Sequence, residues 1–478
     1  MDTRNALTIR LDELSKRPLD VVIVGSGPAG VGVAEYLYNA FPQATVAILE
    51  RGDILTLTHV NNVFPGADMR SEFIRVHGSH PWGSRAEEGA MMIFALGGRG
   101  IVAGGHLRRF DNDDYFLWPN GHWPVTPDDL APFFTVAEIV RHVSPGECES
   151  PAQTWVMGEL DAFKPHPPPW GIDVRSRGSR GTLDSSAQRL CELIQRDCFE
   201  AKNAGERRLL ISTNAPVTKL VVEDERVTAL TCLCPRDGQI SVAGKVVVLA
   251  ASPIESARLV LDSALGRTAK VGEIAGRYLA EHLLCRAEIP LRYSSLAGGG
   301  VNVVIPPPGP ALLERFQIDI KTVTTNDGST RLRISGFAAM DPDPKNRVEL
   351  HDGVVSTFLE QSSHDEFRVG NMRGRMLEVA EKLGAQSGVE ISTPAKWWSN
   401  HEVGTLRMGP KEAESVTDDH GRIHDMENLF VADASVFPCV GVANPMLTTT
   451  ALAYRLAHYI GVKLFREPRG IEPWSICG

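Results

Sequence analysis

Gly25-Ser26-Gly27-Pro28-Ala29-Gly30 is the first stretch whose residue types can do chemistry. It is a GxGxxG, and an acid, Glu50, follows twenty residues after the last glycine. Gly25 permits a tight turn, Gly27 lets the backbone approach a pyrophosphate, and Gly30 lets helix and strand pack closely. The helix that opens here offers unpaired N–H groups to phosphate oxygens. Glu50 can accept hydrogen bonds from a ribose diol. Together these features predict a dinucleotide site, with NAD and FAD both still open.

The elements that must position this loop are also legible. DVVIV (20–24) reads as a buried parallel strand, AGVGVAEYLYNAF as a helix, and TVAILE as a second strand ending at Glu50. Further along, SSAQRLCELI has helical spacing, and VTKLVVEDERVTALTCL reads as two strands about a polar turn. VAGKVVVLAAS is a buried strand. The following SPIESARLVLDSAL is predicted as a helix capped by Ser252, with Pro253 at its first position. Residues 286–395 change character: five strand-like runs, then the helical HDEFRVGNMRGRMLEVAEKLGAQ, which predicts an antiparallel sheet with a covering helix. ENLFVADAS and NPMLTTTALAYRLAHYIGVKLF then return to strand and helix of the first style.

The expected fold class is α/β: a Rossmann-type domain with an inserted substrate domain built on an antiparallel sheet. The expected division is 1–150, 186–285 and 396–478 for the nucleotide-binding domain, and 151–185 and 286–395 for the substrate domain. Proline clusters at 165–171 and 305–310 read as rigid connections.

The chain has 478 residues, 43% hydrophobic and 23% charged, enough for a large core and unlike a disordered or disulfide-built chain. A net charge of −10 argues against nucleic acid as the partner. No apolar run is long enough for a membrane helix. The N-terminal segment lacks an apolar signal core, so the expected location is cytoplasmic. The eight cysteines, Cys232 and Cys234 included, read as incidental or buried thiols, and no metal is expected.

Two C-terminal segments carry a resemblance. NHEVGTLRMG (400–409) and NLFVADASVFPCVGVANPMLTTT (428–450), with the N-terminal fingerprint, resemble the glucose–methanol–choline (GMC) family of flavoprotein oxidoreductases. Gly97-Gly98-Arg99-Gly100, GRYLAEH (276–282) and VVVLAASPIESARLVLDSAL extend the likeness along the chain, in the style of bacterial sugar and glycoside oxidoreductases. The resemblance implies FAD rather than NAD. It implies cofactor contacts at Gly25, Gly27, Pro28, Ala29, Gly30, Glu50, Arg51, Gly97, Gly98, Val217, Asp433, Ala434, Asn444, Pro445 and Met446. It implies His401 as catalytic base, taking the hydroxyl proton while the α-hydride passes to flavin, with Asn444 fixing the substrate oxygen. Where some members attach FAD through a histidine this chain has Val102, followed by Ala103, so non-covalent FAD is expected, with His106 the nearest substitute.

The implied substrate is a sugar, glycoside or aminosugar-containing alcohol. A choline- or steroid-like alcohol, same-fold lyase or isomerase chemistry, and a non-catalytic flavin protein are the alternatives. One carboxylate of Asp111–Asp114 is a candidate contact for an amino or hydroxyl group of the substrate, its other reading being a solvated turn. Trp397 and Trp398 read equally as an apolar or sugar-stacking wall and as core packing. His77, His80, His122, His282, His420 and His424 read as surface or satisfied core residues. The electron acceptor is unspecified.

Overall fold

The computed structural model describes residues 7–63, 67–79, 91–118, 121–144, 150–173, 182–234, 238–267, 269–291, 300–325, 328–393, 399–410 and 414–466. Trp397, Trp398, His80, Cys148 and Cys477 lie outside them.

After a short helix at Leu11–Leu14 the parallel-sheet region begins with β1 (Val21–Val24), α1 (Pro28–Ala40) and β2 (Val46–Leu49). Past an intervening stretch that includes helices at Ala67–His77, Pro127–Val140 and Pro151–Glu159 come α2 (Ser186–Glu200), β3 (Leu209–Ser212), β4 (Val217–Glu223), β5 (Arg226–Cys234), β6 (Gly238–Val242), β7 (Val246–Leu249) and α3 (Pro253–Leu261). The inserted region supplies β8 (His282–Pro290), β9 (Asn302–Ile305), β10 (Phe316–Thr324), β11 (Thr330–Ala339) and α4 (Ser363–Lys382). The chain then returns through β12 (Leu429–Val431) and α5 (Met446–Phe465).

Five parallel strands form one sheet in the order β12-β7-β1-β2-β3. Every residue of β1, β2 and β7 is buried. This explains the unbroken β-branched runs: a parallel sheet covered on both faces leaves no side for polar residues. α1 starts at Pro28 directly after Gly27 and crosses the returning α5 closely, a Cβ at Gly32 falling 3.3 Å from the Cβ of Ala453. A buried cluster of Glu35 on α1, Arg189 on α2 and Tyr454 on α5 ties the last helix to the first, Arg189 and Tyr454 both donating to Glu35. β4, β5 and β6 form a separate antiparallel sheet.

The inserted sheet is antiparallel, ordered β8-β11-β10-β9. Period-two alternation divides its faces. Ile318, Ile320, Leu332 and Ile334 are buried, and Gly336 lies where a Cβ would meet Met372 Sδ of α4 at 2.7 Å. The alternate residues Asp319, Lys321, Arg333, Ser335 and Phe337 line a cavity. Among the described residues no helix is long and apolar enough to cross a membrane. At the start of α3 the structure departs from the capping prediction. Ser252 is the N-cap residue but its hydroxyl makes no cap bond, and its φ is +83°. Its backbone N–H instead donates to Asp433 at 3.0 Å.

Candidate active site

A cavity of about 810 Å³ runs from the first βα turn to the inserted sheet. One end is lined by Gly25 through Ala29, Glu50, Arg51 and Val217, the middle by Gly98 through Gly100 and Val102 through His106, and the far end by His401, Asn444 and the sheet residues above.

The turn has the shape a diphosphate needs. Gly25 has φ +101°, and a Cβ there would lie 2.5 Å from the Ala250 carbonyl oxygen. A Cβ at Gly30 would meet the Gly25 carbonyl oxygen at 2.1 Å, so this glycine serves packing and does not reach the cavity. Gly27 has nothing within 4 Å of its missing Cβ, which leaves the open face of the turn to a ligand. No side chain caps the N-terminus of α1. Gly97 also stays off the cavity, a Cβ there falling 2.7 Å from the Ala187 nitrogen.

Glu50 is buried at the end of β2. Its carboxylate accepts from the Ser26 hydroxyl at 2.5 Å, the Ser26 N–H at 3.1 Å and the Gly52 N–H at 2.8 Å. Burial pushes its carboxyl upward, and the Ser26 and Gly52 bonds oppose that. The Ser26 hydroxyl also accepts from the Gly97 N–H at 3.0 Å. Ser26 thus links the fingerprint, the acid and the Gly-Gly segment, a role its place inside a GxGxxG did not reveal. Asp433 at the far edge is similarly engaged, accepting from Ser252 N–H, the Ser256 hydroxyl at 2.6 Å and the Ser435 N–H at 2.9 Å.

His401 is delivered by backbone pairing between the separated motifs. Val403 and Ala280 pair through N–H···O bonds of 2.9 and 3.2 Å, which lays GRYLAEH beside the His401 segment. Gly404, Leu406 and Met408 donate to the carbonyls of Ala434, Ser435 and Val436, docking the same segment along the turn after β12. Gly404 has φ +97°, and a Cβ there would sit 2.1 Å from the Tyr278 carbonyl oxygen.

His401 and Asn444 line the cavity, and His282, which does not, meets His401. His401 Nε2 is 3.2 Å from Asn444 Nδ2, and His401 Nδ1 is 2.8 Å from His282 Nδ1. His282 is buried, and its Nε2 lies 2.5 Å from the Gly441 carbonyl oxygen. Burial pushes the His282 imidazole down to about 4. Burial pushes His401 well below its ordinary value, and His282, Arg99 and His106 act in the same direction. Both rings are therefore neutral at pH 7. The Phe337 ring lies 6.1 Å from His401.

Beside them Arg99 makes a two-pronged ion pair with Glu402, at 3.0 and 2.6 Å. Glu281 is buried next to that pair. Burial and then the Glu402 charge push its carboxyl well up, against the bonds from Ser399.

In the Asp111–Asp114 stretch Asn112 and Asp113 are exposed on a short turn, as the solvated-turn reading expects, but Asp114 is not. None of the stretch's residues lines the cavity. Asp114 is fully buried, accepts from Arg315 Nη2 at 2.5 Å, and accepts from the Val442 N–H at 3.2 Å. Its backbone carbonyl accepts from Cys439 Sγ at 3.4 Å. Burial pushes this carboxyl up to about 6 despite Arg315. Asp114 thus pins the loop that carries Gly441 and Asn444. Sequence reading missed this because a DNDD run has the composition of an exposed turn, and its partner Arg315 is far away in the chain.

Val102 and His106 both line the cavity; His106 lies toward the sheet, 3.5 Å from Asp319 and 5.4 Å from the Trp170 ring. Arg51 lies over the Phe94 ring and 3.5 Å from Glu255.

The family model of GMC oxidoreductase matches this chain twice, its N-terminal part over residues 198–283 and its C-terminal part over 334–453. The chain belongs to the GMC oxidoreductases. A 6'''-hydroxyparomomycin C oxidase of Streptomyces lividus is 26% identical over 519 aligned positions, covering 94% of this chain and 92% of that protein. A paromamine 6'-oxidase of Streptomyces fradiae is 26% identical, covering 92% and 91%. Among solved structures, an Aspergillus oryzae RIB40 formate oxidase variant studied for FAD modification shares the fold, with TM-score 0.71, 15% identity, and coverage of 95% and 99%. The cofactor of this GMC oxidoreductase is FAD. The open turn at Gly27, the uncapped α1 and the long cavity fit such a group on this chain's own geometry.

Proposed function

We propose that this GMC oxidoreductase oxidises an alcohol of a sugar, glycoside or aminosugar-containing compound to the carbonyl. The observation that carries the reading is the convergence of His401 Nε2 and Asn444 Nδ2 on one point of the cavity floor, 3.2 Å apart and facing the polar side of the inserted sheet. FAD, when bound, supplies the hydride acceptor. The protein's share is to bind, orient and deprotonate. A substrate hydroxyl entering between the two side chains gives its proton to His401 Nε2 and receives a hydrogen bond from the Asn444 amide. Neutral His401 has its lone pair available for this at neutral pH. Asn302, Asp319, Lys321, Arg333 and Ser335 present hydrogen-bonding groups suited to a polyol, and Trp170 and Phe337 offer ring faces to a pyranose.

In this reading residues 1–150, 186–285 and 396–478 hold FAD, while 151–185 and 286–395 shape the substrate pocket. The FAD is non-covalent, since Val102 has no group to form the link. The names of the Streptomyces relatives, both acting on aminoglycosides by those names, support the substrate class.

The test is anaerobic mixing of the holoenzyme with a panel of glycosides and aminoglycosides, following the flavin absorbance and product mass. A sugar alcohol that bleaches the flavin and loses two hydrogens is the expected result. His401→Ala should keep FAD and slow bleaching by about 10²–10⁴, the usual worth of a general base. Bleaching by simple alcohols alone would overturn the sugar assignment. An undiminished rate in the variant would remove His401 from the chemistry.

A further inference from the structure

The role of His282 follows from asking which atom carries each proton. A carbonyl oxygen only accepts, so the 2.5 Å contact with Gly441 requires the His282 Nε2 to be the N–H donor. His282 is buried and neutral, so its Nδ1 is then a bare lone pair. His401 Nδ1 faces that lone pair at 2.8 Å, and two acceptors cannot share such a contact. The proton between the rings therefore belongs to His401 Nδ1. This leaves His401 Nε2 as the bare nitrogen, and its neighbour at 3.2 Å, the Asn444 amide N–H, can only donate. Each of the three contacts demands the same arrangement. The polarity runs from Asn444 through His401 and His282 to the Gly441 carbonyl.

We infer that His282 is a positioning residue that selects the His401 tautomer with Nε2 bare and aimed into the cavity, and that its own tautomer is set in turn by the Gly441 carbonyl. The inference rests on the reading of His401 as base. The free energy at stake is a choice between two tautomers of nearly equal intrinsic stability, so one buried acceptor decides it. Unlike the carboxylate that orients a histidine in a hydrolase triad, His282 is uncharged. It orients the base without strengthening it. The ring planes meet edge to face, at 90°, so the Nδ1–H of His401 points along the lone pair of a ring that packing holds still.

This explains a constraint on the backbone. Gly441 presents its carbonyl to His282 from the loop pinned by Asp114, and a Cβ there would meet the Phe110 ring at 2.7 Å and Asp114 Oδ2 at 2.8 Å. The loop is packed so tightly on Asp114 that the carbonyl has one place to be.

The direct test is ¹⁵N NMR of the histidine-labelled holoenzyme without substrate, with His401 resonances assigned by their loss in His401→Gln. The expected result is Nδ1 protonated and Nε2 unprotonated. The opposite tautomer overturns the inference and leaves the alcohol-oxidation reading standing. Two variants extend it. His282→Phe keeps a ring and removes the acceptor; His282→Asn keeps an acceptor near the Nδ1 position. His282→Phe should mix the two tautomers and lower the anaerobic flavin-reduction rate on the order of 10²-fold, with KM much less affected. His282→Asn should recover at least tenfold of that loss. Equal losses in both variants, with FAD content unchanged, would reduce His282 to a packing residue. Should the Phe variant not fold, the tautomer of the unaltered enzyme still decides. Loss of activity in His401→Ala tests the base itself, so a failure there is distinguishable from a failure here.

Discussion

The depressed basicity of His401 makes a quantitative prediction about stability. In the unfolded chain this imidazole takes a proton near its ordinary value of 6.5; in the folded protein burial, His282, Arg99 and His106 hold it neutral well below that. Between these limits the unfolded state binds one more proton than the folded state. Stability therefore falls as pH falls, by up to about 1.4 kcal/mol per unit. At pH 5 the ordinary value lies about 1.5 units above the solution, so keeping one imidazole unprotonated costs at most about 2 kcal/mol. His282, held down to about 4, contributes a similar loss over the same window, ending near its folded value. Glu50, Glu281 and Asp433, pushed up by burial, act in the opposite direction. They are present in every variant and cancel in a comparison. The assay is equilibrium urea unfolding of the holoenzyme and of His401→Gln, in saturating FAD, at pH 7.5 and pH 5. The substituted amide can still donate to His282 Nδ1, so that neighbour keeps its partner. The variant should lose less than the unaltered enzyme between the two pH values, by at most about 2 kcal/mol. Parallel losses would mean that folded His401 protonates as readily as an exposed histidine, and a base kept neutral by burial would be refuted.

The remaining predictions concern the cofactor. Glu50→Ala removes the acceptor of three protein hydrogen bonds and frees Ser26 from the Gly25 turn. It should weaken FAD retention about tenfold or more while leaving the reduction rate at saturating FAD within a few-fold; equilibrium dialysis and stopped-flow separate the two. Acid precipitation of the holoenzyme should leave the flavin absorbance in the supernatant, because Val102 offers no attachment. Colour retained in the pellet would instead direct attention to His106.

Local pattern made the nucleotide-binding half legible. β1, α1 and β2 sit where DVVIV, AGVGVAEYLYNAF and TVAILE place them, because buried parallel strands and small-residue helices have signatures that need no knowledge of partners. The antiparallel sheet at β8–β11 and its covering helix α4 were legible for the same reason, their period-two alternation being the division between cavity and core. Long-range polar partners were not legible. Ser252 looked like a cap and became a donor to Asp433, 181 residues away in the chain. His282 looked incidental because nothing in its neighbourhood announces His401, 119 residues on. The signal available was its position at the end of GRYLAEH, a motif whose backbone pairs with the His401 segment. Asp114 was misread for the same reason, since its acidity says nothing of Arg315.

The clamp at Asp114 has a consequence for engineering. Arg315 stands immediately before β10 of the inserted sheet, Asp114 lies in the segment after the Gly-Gly loop, and Val442 belongs to the returning chain. Three sequence-distant segments are joined through one carboxylate. A chimera that grafts another enzyme's sheet to change substrate choice would carry the graft boundary through this junction. Transplanting the sheet without an arginine at its entry would leave Asp114 buried without its cation, a loss on the order of 3–5 kcal/mol when one partner of a buried pair is removed. The first casualty would be the register of the Gly441–Asn444 loop. Pocket exchange in this scaffold is therefore modular only if the Arg315–Asp114 seam travels with the graft.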